Sequence, residues 1–329
     1  MSSASLPTFA DVEAAAGRLE GVARRTPLLE SDLLNDQVGG RLLVKAEPLQ
    51  RTGSFKFRGA YNAISQVIAR DGKRPVVAFS SGNHAQGVAL AARILGVSAT
   101  IVMPSDAPSI KQENTRALGA KLRLLDRFRD SREEVGAEIA RTEGAALIRP
   151  YDDRDVIAGQ GTVGLELAEQ AKAVDASLDA ALICCGGGGL TAGTALALKE
   201  KQPDLPLFTA EPEAYDDTKQ SLEAGERRAI EPGAATICDA VMAPMPGELT
   251  FAVNRHRIMR GLVVGDDDVL HAMALAFKML KLVIEPGGAV ALAAALAGKI
   301  ETKGRTLAVV ASGGNVDPAI FQQALKASA

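Results

Sequence analysis

Lys56 stands between Phe55 and Phe57 in the stretch RTGSFKFRGA, with Gly53 and Gly59 on its flanks. A lysine ammonium ordinarily stays in water even where its stem is covered. In a partly dry pocket the amine gives up its proton more readily and becomes a nucleophile able to form a Schiff base with a carbonyl. A lysine at a helix start with aromatic neighbours would look the same. Three further stretches narrow the choice: SSGNH (Ser80–His84), GGGGLTAG (Gly186–Gly193) and SGGN (Ser312–Asn315). Each follows an apolar run, and a small-residue turn there leaves backbone N–H groups free to meet an anion. Any one of these turns could exist for glycine geometry alone. Three together point to one polar ligand gripped at several points.

The glycine tetrad reads in two ways. Gly187, Gly189 and Ala192 fit G-x-G-x-x-A, and Glu211 falls about 20 residues on, where the ribose-binding acid of a nicotinamide dehydrogenase belongs. That reading puts the motif deep in the chain and leaves Lys56 and the other two turns without a task. Four glycines before a helix also suit one compact phosphate held by several amides. A Schiff-base lysine and a phosphate cradle together specify pyridoxal phosphate.

The elements that must position these groups alternate. Strand candidates are RLLVKAE, PVVAFS, ATIVMP, KLRLL, AALIRP, AALICC, LPLFTAE and TLAVVAS, most of them continuously apolar, as in a parallel sheet covered on both faces. Helical stretches between them include FADVEAAAGRL, with Thr8 as its N-cap, AQGVALAARILG, SREEVGAEIART, VGLELAEQAKA, TAGTALALKEK and DDVLHAMALAFKML. The order predicts a doubly wound α/β fold with ligands at the carboxyl ends of strands. Lys219–Glu248 is the least periodic segment and is expected to wrap the surface.

At 329 residues the chain suits two packed lobes. Its net charge of −3 and pI near 5.8 give no electrostatic footprint for nucleic acid. No apolar run reaches membrane-spanning length, and the first residues lack the features of a signal peptide. Cys184, Cys185 and Cys238 form no disulfide framework or metal spacing, which makes a reducing cytoplasm the expected setting.

The chain resembles the serine/threonine dehydratase and serine racemase family of pyridoxal-phosphate enzymes of fold type II. TGSFKFRGA, SSGNHAQGVA, VIAGQGT, GGGGLTAG, AEP and SGGNVD match its signatures in order, over essentially the whole chain. The resemblance implies two doubly wound lobes, the smaller inserted in the larger: roughly residues 1–70 with 152–329, and roughly 75–150. It makes Lys56 the cofactor-linked lysine, with Phe55 beside the ring, Asn83 on the ring hydroxyl, and Gly186, Gly187, Gly188, Gly189 and Leu190 around the phosphate. Ser312 then faces the pyridine nitrogen; a hydroxyl there leaves the ring a weaker electron sink than a carboxylate would, which suits loss of a β-leaving group over transamination.

The implied reaction converts L-threonine or L-serine to a 2-oxo acid and ammonia, with Lys56 as base at Cα. Ser80, Ser81, Gly82, Asn83 and His84 would hold the substrate carboxylate, His84 being read more simply as a helix cap. Ser81 matches the residue that reprotonates the opposite face in racemases, which keeps serine racemisation open. Tyr151 stands where eukaryotic racemases typically carry Asn, closer to dehydratases. Arg132 is either a helix-surface partner of Glu133 or Glu134, or a clamp for a second substrate carboxylate, which would favour 3-hydroxyaspartate. The resemblance also implies a divalent cation, Mg²⁺ or Ca²⁺ or else Mn²⁺, on Glu211, the Tyr215 carbonyl and Asp217, against the alternative of a solvated acidic loop. A homodimer is expected. The chain stops soon after SGGNVD, so the regulatory domain of biosynthetic threonine dehydratases, and isoleucine feedback with it, is not expected.

Overall fold

The computed structural model describes residues 5–107, 109–126, 128–231 and 235–327. The chain opens with α1 (Phe9–Leu19), whose N-cap Thr8 and Asp11 hold one another in a reciprocal capping box. It continues through β1 (Leu28–Leu29), α2 (Asp32–Val38), β2 (Arg41–Ala46) and α3 (Lys56–Asp71). Next come β3 (Val76–Phe79), α4 (Asn83–Leu95), β4 (Ala99–Pro104), α5 (Ser109–Ala117), β5 (Lys121–Leu125), α6 (Arg132–Thr142) and β6 (Ala146–Leu147). The remainder is α7 (Arg154–Ala173), β7 (Ala180–Cys184), α8 (Gly189–Lys201), β8 (Leu207–Pro212), α9 (Asp217–Ala224), α10 (Glu248–Asn254), β9 (Arg260–Val264), α11 (Asp266–Leu275), α12 (Pro286–Leu296), β10 (Thr306–Ala311) and α13 (Pro318–Ala327).

These strands make two sheets. The larger has six strands in the order β1-β2-β10-β7-β8-β9, all parallel except β1. The smaller has four parallel strands in the order β5-β4-β3-β6. Strands β7, β8 and β10 are buried along nearly their whole length, which is why they read as unbroken apolar runs. β5 sits at an edge and carries exposed residues. No helix among the described residues is long and apolar enough to cross a membrane.

Several expectations need correction. Strands β1, of two residues, and β9, a short LVV run, lie outside the expected strands, and AALIRP yields only the two-residue β6. Helix α7 begins at Arg154, well before VGLELAEQAKA, where Asp153 caps it through the amides of Asp155 and Val156. The DDVLHAMALAFKML helix gives way at Ala276 to a π-helical turn ending in left-handed Lys281. The Lys219–Glu248 segment does more than wrap the surface: Cys238 and Val241 are buried, and a Cβ on Gly186 would lie 2.9 Å from the Val241 Cα.

Helix α3, whose first residue is Lys56, is fixed by close packing and by buried ion pairs. Glycines let it approach α7 closely: a Cβ on Gly159 would sit 2.7 Å from the Arg58 carbonyl oxygen, and one on Gly59 would overlap Gln160. Helix α7 packs in turn on α8, where a Cβ on Gly164 would lie 2.7 Å from the Thr194 carbonyl oxygen. In addition the buried Arg58 guanidinium reaches Glu47 at 2.8 Å and Glu166 of α7 at 2.7 Å, and Lys45 reaches Glu166 at 2.6 Å. A buried network of this kind is strongly destabilising to break, by roughly 3–5 kcal/mol when one partner is removed.

Candidate active site

The turns after β3, β7 and β10 open into one cleft of about 700 Å³. That is the size of a small-molecule site, and its walls come from both sheets. Lys56, Phe55, Ser80–His84, Arg132, Gly186–Leu190 and Ser312 all line it.

Lys56 starts α3 with its Nζ donating to the Pro150 carbonyl at 2.7 Å and lying 5.0 Å from the Phe55 ring centre. Burial pushes its ammonium down to about 8, against a smaller opposing pull from Glu285. A substantial share of the amine is therefore neutral near physiological pH, as a carbonyl-seeking nucleophile requires.

The glycine tetrad forms the turn between β7 and α8. Gly188 is the left-handed residue there, with φ 89° and ψ 0°, and it acts as the N-cap of α8. That backbone presents successive amides at a helix start, a concavity suited to a phosphate. The Tyr151 ring lies so close against Gly187 that a Cβ there would overlap it. An amine in a dry pocket, an amide nest, an asparagine amide and a neutral hydroxyl at Ser312 are the donor set a pyridoxal phosphate needs. The residues present fit that group.

Asn83 joins the turns after β3 and β10 to the start of α12. Its Oδ1 accepts from Asn315 Nδ2 at 2.7 Å, and its Nδ2 donates to Glu285 Oε1 at 2.6 Å. Asn315 also donates to the Thr52 carbonyl at 2.8 Å, just before the Lys56 segment. Glu285, the N-cap of α12, was not singled out in the sequence. It is buried in the cleft wall, and burial raises its carboxyl to about 7, partly offset by Asn83. The signal that could have found it is an acid directly before a Pro-Gly-Gly helix start (EPGG).

His84 is not a cap. The N-cap of α4 is Gly82, and the His84 ring instead sits 2.9 Å from the Ile148 carbonyl, just past β6. Burial and, secondarily, the Lys56 charge drive its pKa down to about 3, so the imidazole stays neutral. It ties the SSGNH turn to the neighbouring strand end. His256 and His271 are exposed.

Arg132 starts α6. It pairs with Glu133 at 2.9 Å, lies 5.8 Å from the Phe79 ring centre, and remains 57% exposed at the cleft mouth. Across that mouth Lys111 of α5 pairs with Asp239 at 2.9 Å.

Glu211, Tyr215 and Asp217 lie outside the cleft lining, where β8 gives way to α9. Glu211 is fully buried and accepts from the Thr218 and Lys219 amides, each at 2.9 Å. Burial, with Asp217 next in effect, holds its carboxyl well above the ordinary range. Both Asp217 oxygens are buried without a hydrogen-bond partner, and burial raises that group to about 8. Among the described residues no group of three or more His, Cys, Asp or Glu is gathered to hold a metal. Glu211 is pinned by α9 amides, which does not suit a ribose hook.

The sequence profile of the family described as "Pyridoxal-phosphate dependent enzyme" matches residues 19–313. An L-threo-3-hydroxyaspartate ammonia-lyase of a Pseudomonas species is 43% identical over 98% of this chain and 99% of its own length. A serine racemase of Schizosaccharomyces pombe is 40% identical over 95% of each chain. Among solved structures, a threonine deaminase from the organism abbreviated T.th. superimposes with a TM-score of 0.88 and 46% identity, over 94% of this chain and 99% of that one.

Proposed function

Because the chain belongs to the family of pyridoxal-phosphate-dependent enzymes, we propose that it is an ammonia-lyase that removes the hydroxyl and amino groups of an L-β-hydroxy amino acid, threonine or serine, to leave a 2-oxo acid. The observation that carries this is Lys56: a partly buried amine, poised to lose its proton, in the same cleft as an amide nest. Pyridoxal phosphate would supply an electrophilic carbonyl and a sink for charge developing at the substrate Cα. The amides of Gly187–Leu190 would bind its phosphate, and Asn83 and Ser312 would orient its ring. Lys56, once displaced by the substrate amine, would take the Cα proton. The Ser80–His84 turn would hold the substrate carboxylate, with neutral His84 keeping that turn in place. Ser81 would be the proton source for the racemising alternative.

A second substrate reading is favoured by Arg132. Its guanidinium lines the cleft mouth, and the similar Pseudomonas protein bears the name of a 3-hydroxyaspartate enzyme. A charged hydrogen bond to a second carboxylate is worth roughly 1.5–3 kcal/mol, about tenfold or more in discrimination.

The orphaned Asp217 oxygens beside Glu211 support a divalent cation there, Mg²⁺ or Ca²⁺, completed by the Tyr215 carbonyl and water. The two sheets support a large lobe of roughly 1–70 with 152–329 and a small one of roughly 75–150. Exposed Leu49 and Val283, whose neighbourhoods meet around Gly314, support a homodimer that covers them. Three free cysteines agree with a reducing cytoplasm.

The test is kcat/KM for L-threonine, L-serine and L-threo-3-hydroxyaspartate in wild type, Lys56→Ala and Arg132→Ala. We expect ammonia and a 2-oxo acid to dominate over D-amino acid, and Lys56→Ala to abolish both turnover and borohydride trapping of the cofactor. An Arg132→Ala loss confined to hydroxyaspartate would rename the substrate. Protein that traps no cofactor would end the reading.

A further inference from the structure

The amides that would bind a phosphate belong to a run of four glycines and to Leu190 after it, and glycine peptide units reorient at little cost. A trans peptide points its C=O and the following N–H in opposite directions. Whatever holds the Gly187 carbonyl therefore aims the Gly188 N–H. The Gly187 carbonyl accepts from Thr250 Oγ1 at 2.7 Å and, more distantly, from the Gly247 amide at 3.4 Å. Thr250 is fully buried and far from both ends of the turn in sequence. A Cβ on Gly188 would lie 2.9 Å from its hydroxyl, so the turn rests directly on it. The Gly188 carbonyl is held by the Ala192 amide at 2.8 Å and by Asn254 Nδ2 at 3.4 Å. The amides of Gly187 and Gly188 themselves donate to no group among the described residues.

Thr250 and Asn254 both lie on α10, a short helix that would fray on its own. Its start is clamped by Asp152, whose carboxylate accepts from the amides of Glu248, Leu249 and Thr250 at 3.1, 2.9 and 3.3 Å. Asp152 in turn follows Pro150, which holds Lys56, and Tyr151, which covers Gly187. One short strap thus contacts the amine and the phosphate turn, and steadies the helix behind that turn.

We propose that Thr250 is a positioning residue for the cofactor: its hydroxyl fixes the Gly187–Gly188 peptide so that the Gly188 N–H faces the phosphate. This rests on the cofactor reading above. The test compares two aldehydes that differ only in the phosphate. Wild type, Thr250→Val, Thr250→Ala and Thr250→Ser, freed of cofactor, are titrated with pyridoxal 5′-phosphate and with pyridoxal by absorbance, and the melting temperature of each cofactor-free protein is measured. A misaimed charge-assisted hydrogen bond should weaken pyridoxal phosphate about tenfold in the Val and Ala variants. Pyridoxal affinity should stay at the wild-type value, and Thr250→Ser should restore phosphate binding. Equal loss for both aldehydes, or no loss for either, overturns the assignment. If wild type discriminates between the aldehydes and the Val and Ala variants discriminate by the same factor, only this role of Thr250 falls. Wild type that binds neither aldehyde overturns the cofactor reading along with it.

Discussion

The Lys56 amine can act only after giving up a proton, and its burial decides when. With its pKa near 8, the neutral fraction should rise about tenfold per pH unit below that value and level off above it. The second-order rate at which cofactor-free protein captures pyridoxal phosphate should follow the same curve. Stopped-flow absorbance across that range checks it; a curve still climbing toward the pKa of an ordinary lysine would mean the pocket is wet. At this scale much of the cleft was legible. Lys56, the glycine turn and Ser312 sit in short motifs whose chemistry survives without the fold. Glu285 was not, because EPGG marks a helix start and says nothing of a cleft; only the packing of α12 beside the Asn83 turn makes it part of the cleft. His84 was misread for a related reason: its position suggests a cap, but its partner, Ile148, lies 64 residues away.

Helices α3, α7 and α8 carry the lysine and the glycine turn, and their spacing depends on having no side chain where they touch. A Cβ on Gly193 would meet the Gly161 amide nitrogen at 2.5 Å and overlap the Ile157 carbonyl oxygen. Backbone cannot retreat as a flexible side chain can. Gly193→Ala should therefore destabilise the protein by at least about 1–3 kcal/mol, read as a lower midpoint in urea. Gly17→Ala, where a Cβ meets nothing within 4 Å, should cost little and serves as the control. The glycines of VIAGQGT were visible in the sequence; their packing role was not, since it depends on which helices cross. α12 escaped notice because it is apolar all round, buried from Pro286 to Ala295, and offers no amphipathic period to read.

Over the whole molecule, stability should respond to a divalent cation at the end of β8. Two buried carboxylates facing low dielectric disfavour the folded form unless a proton or a cation neutralises them. Added Mg²⁺ should raise the melting temperature of wild type by binding only the folded state, and a chelator should lower it. Asp217→Ala should lose the response; equal shifts in both proteins would indicate surface screening. The alternation of strands and helices made the α/β class readable. The strand order was not readable, because pairing partners are chosen across the chain.

That order has a consequence for how the protein is made. Strand β10 lies between β2 and β7, hydrogen-bonded to both, although it emerges after every other strand. During synthesis β2 and β7 thus wait on the ribosome with their facing edges unpaired, while the β3–β6 sheet, contiguous in sequence, is free to close first. Long-range parallel pairing is slow to form and its waiting edges invite association with other chains. The last strand to appear is the keystone of the larger sheet, and the nascent chain would be expected to need protection until it arrives.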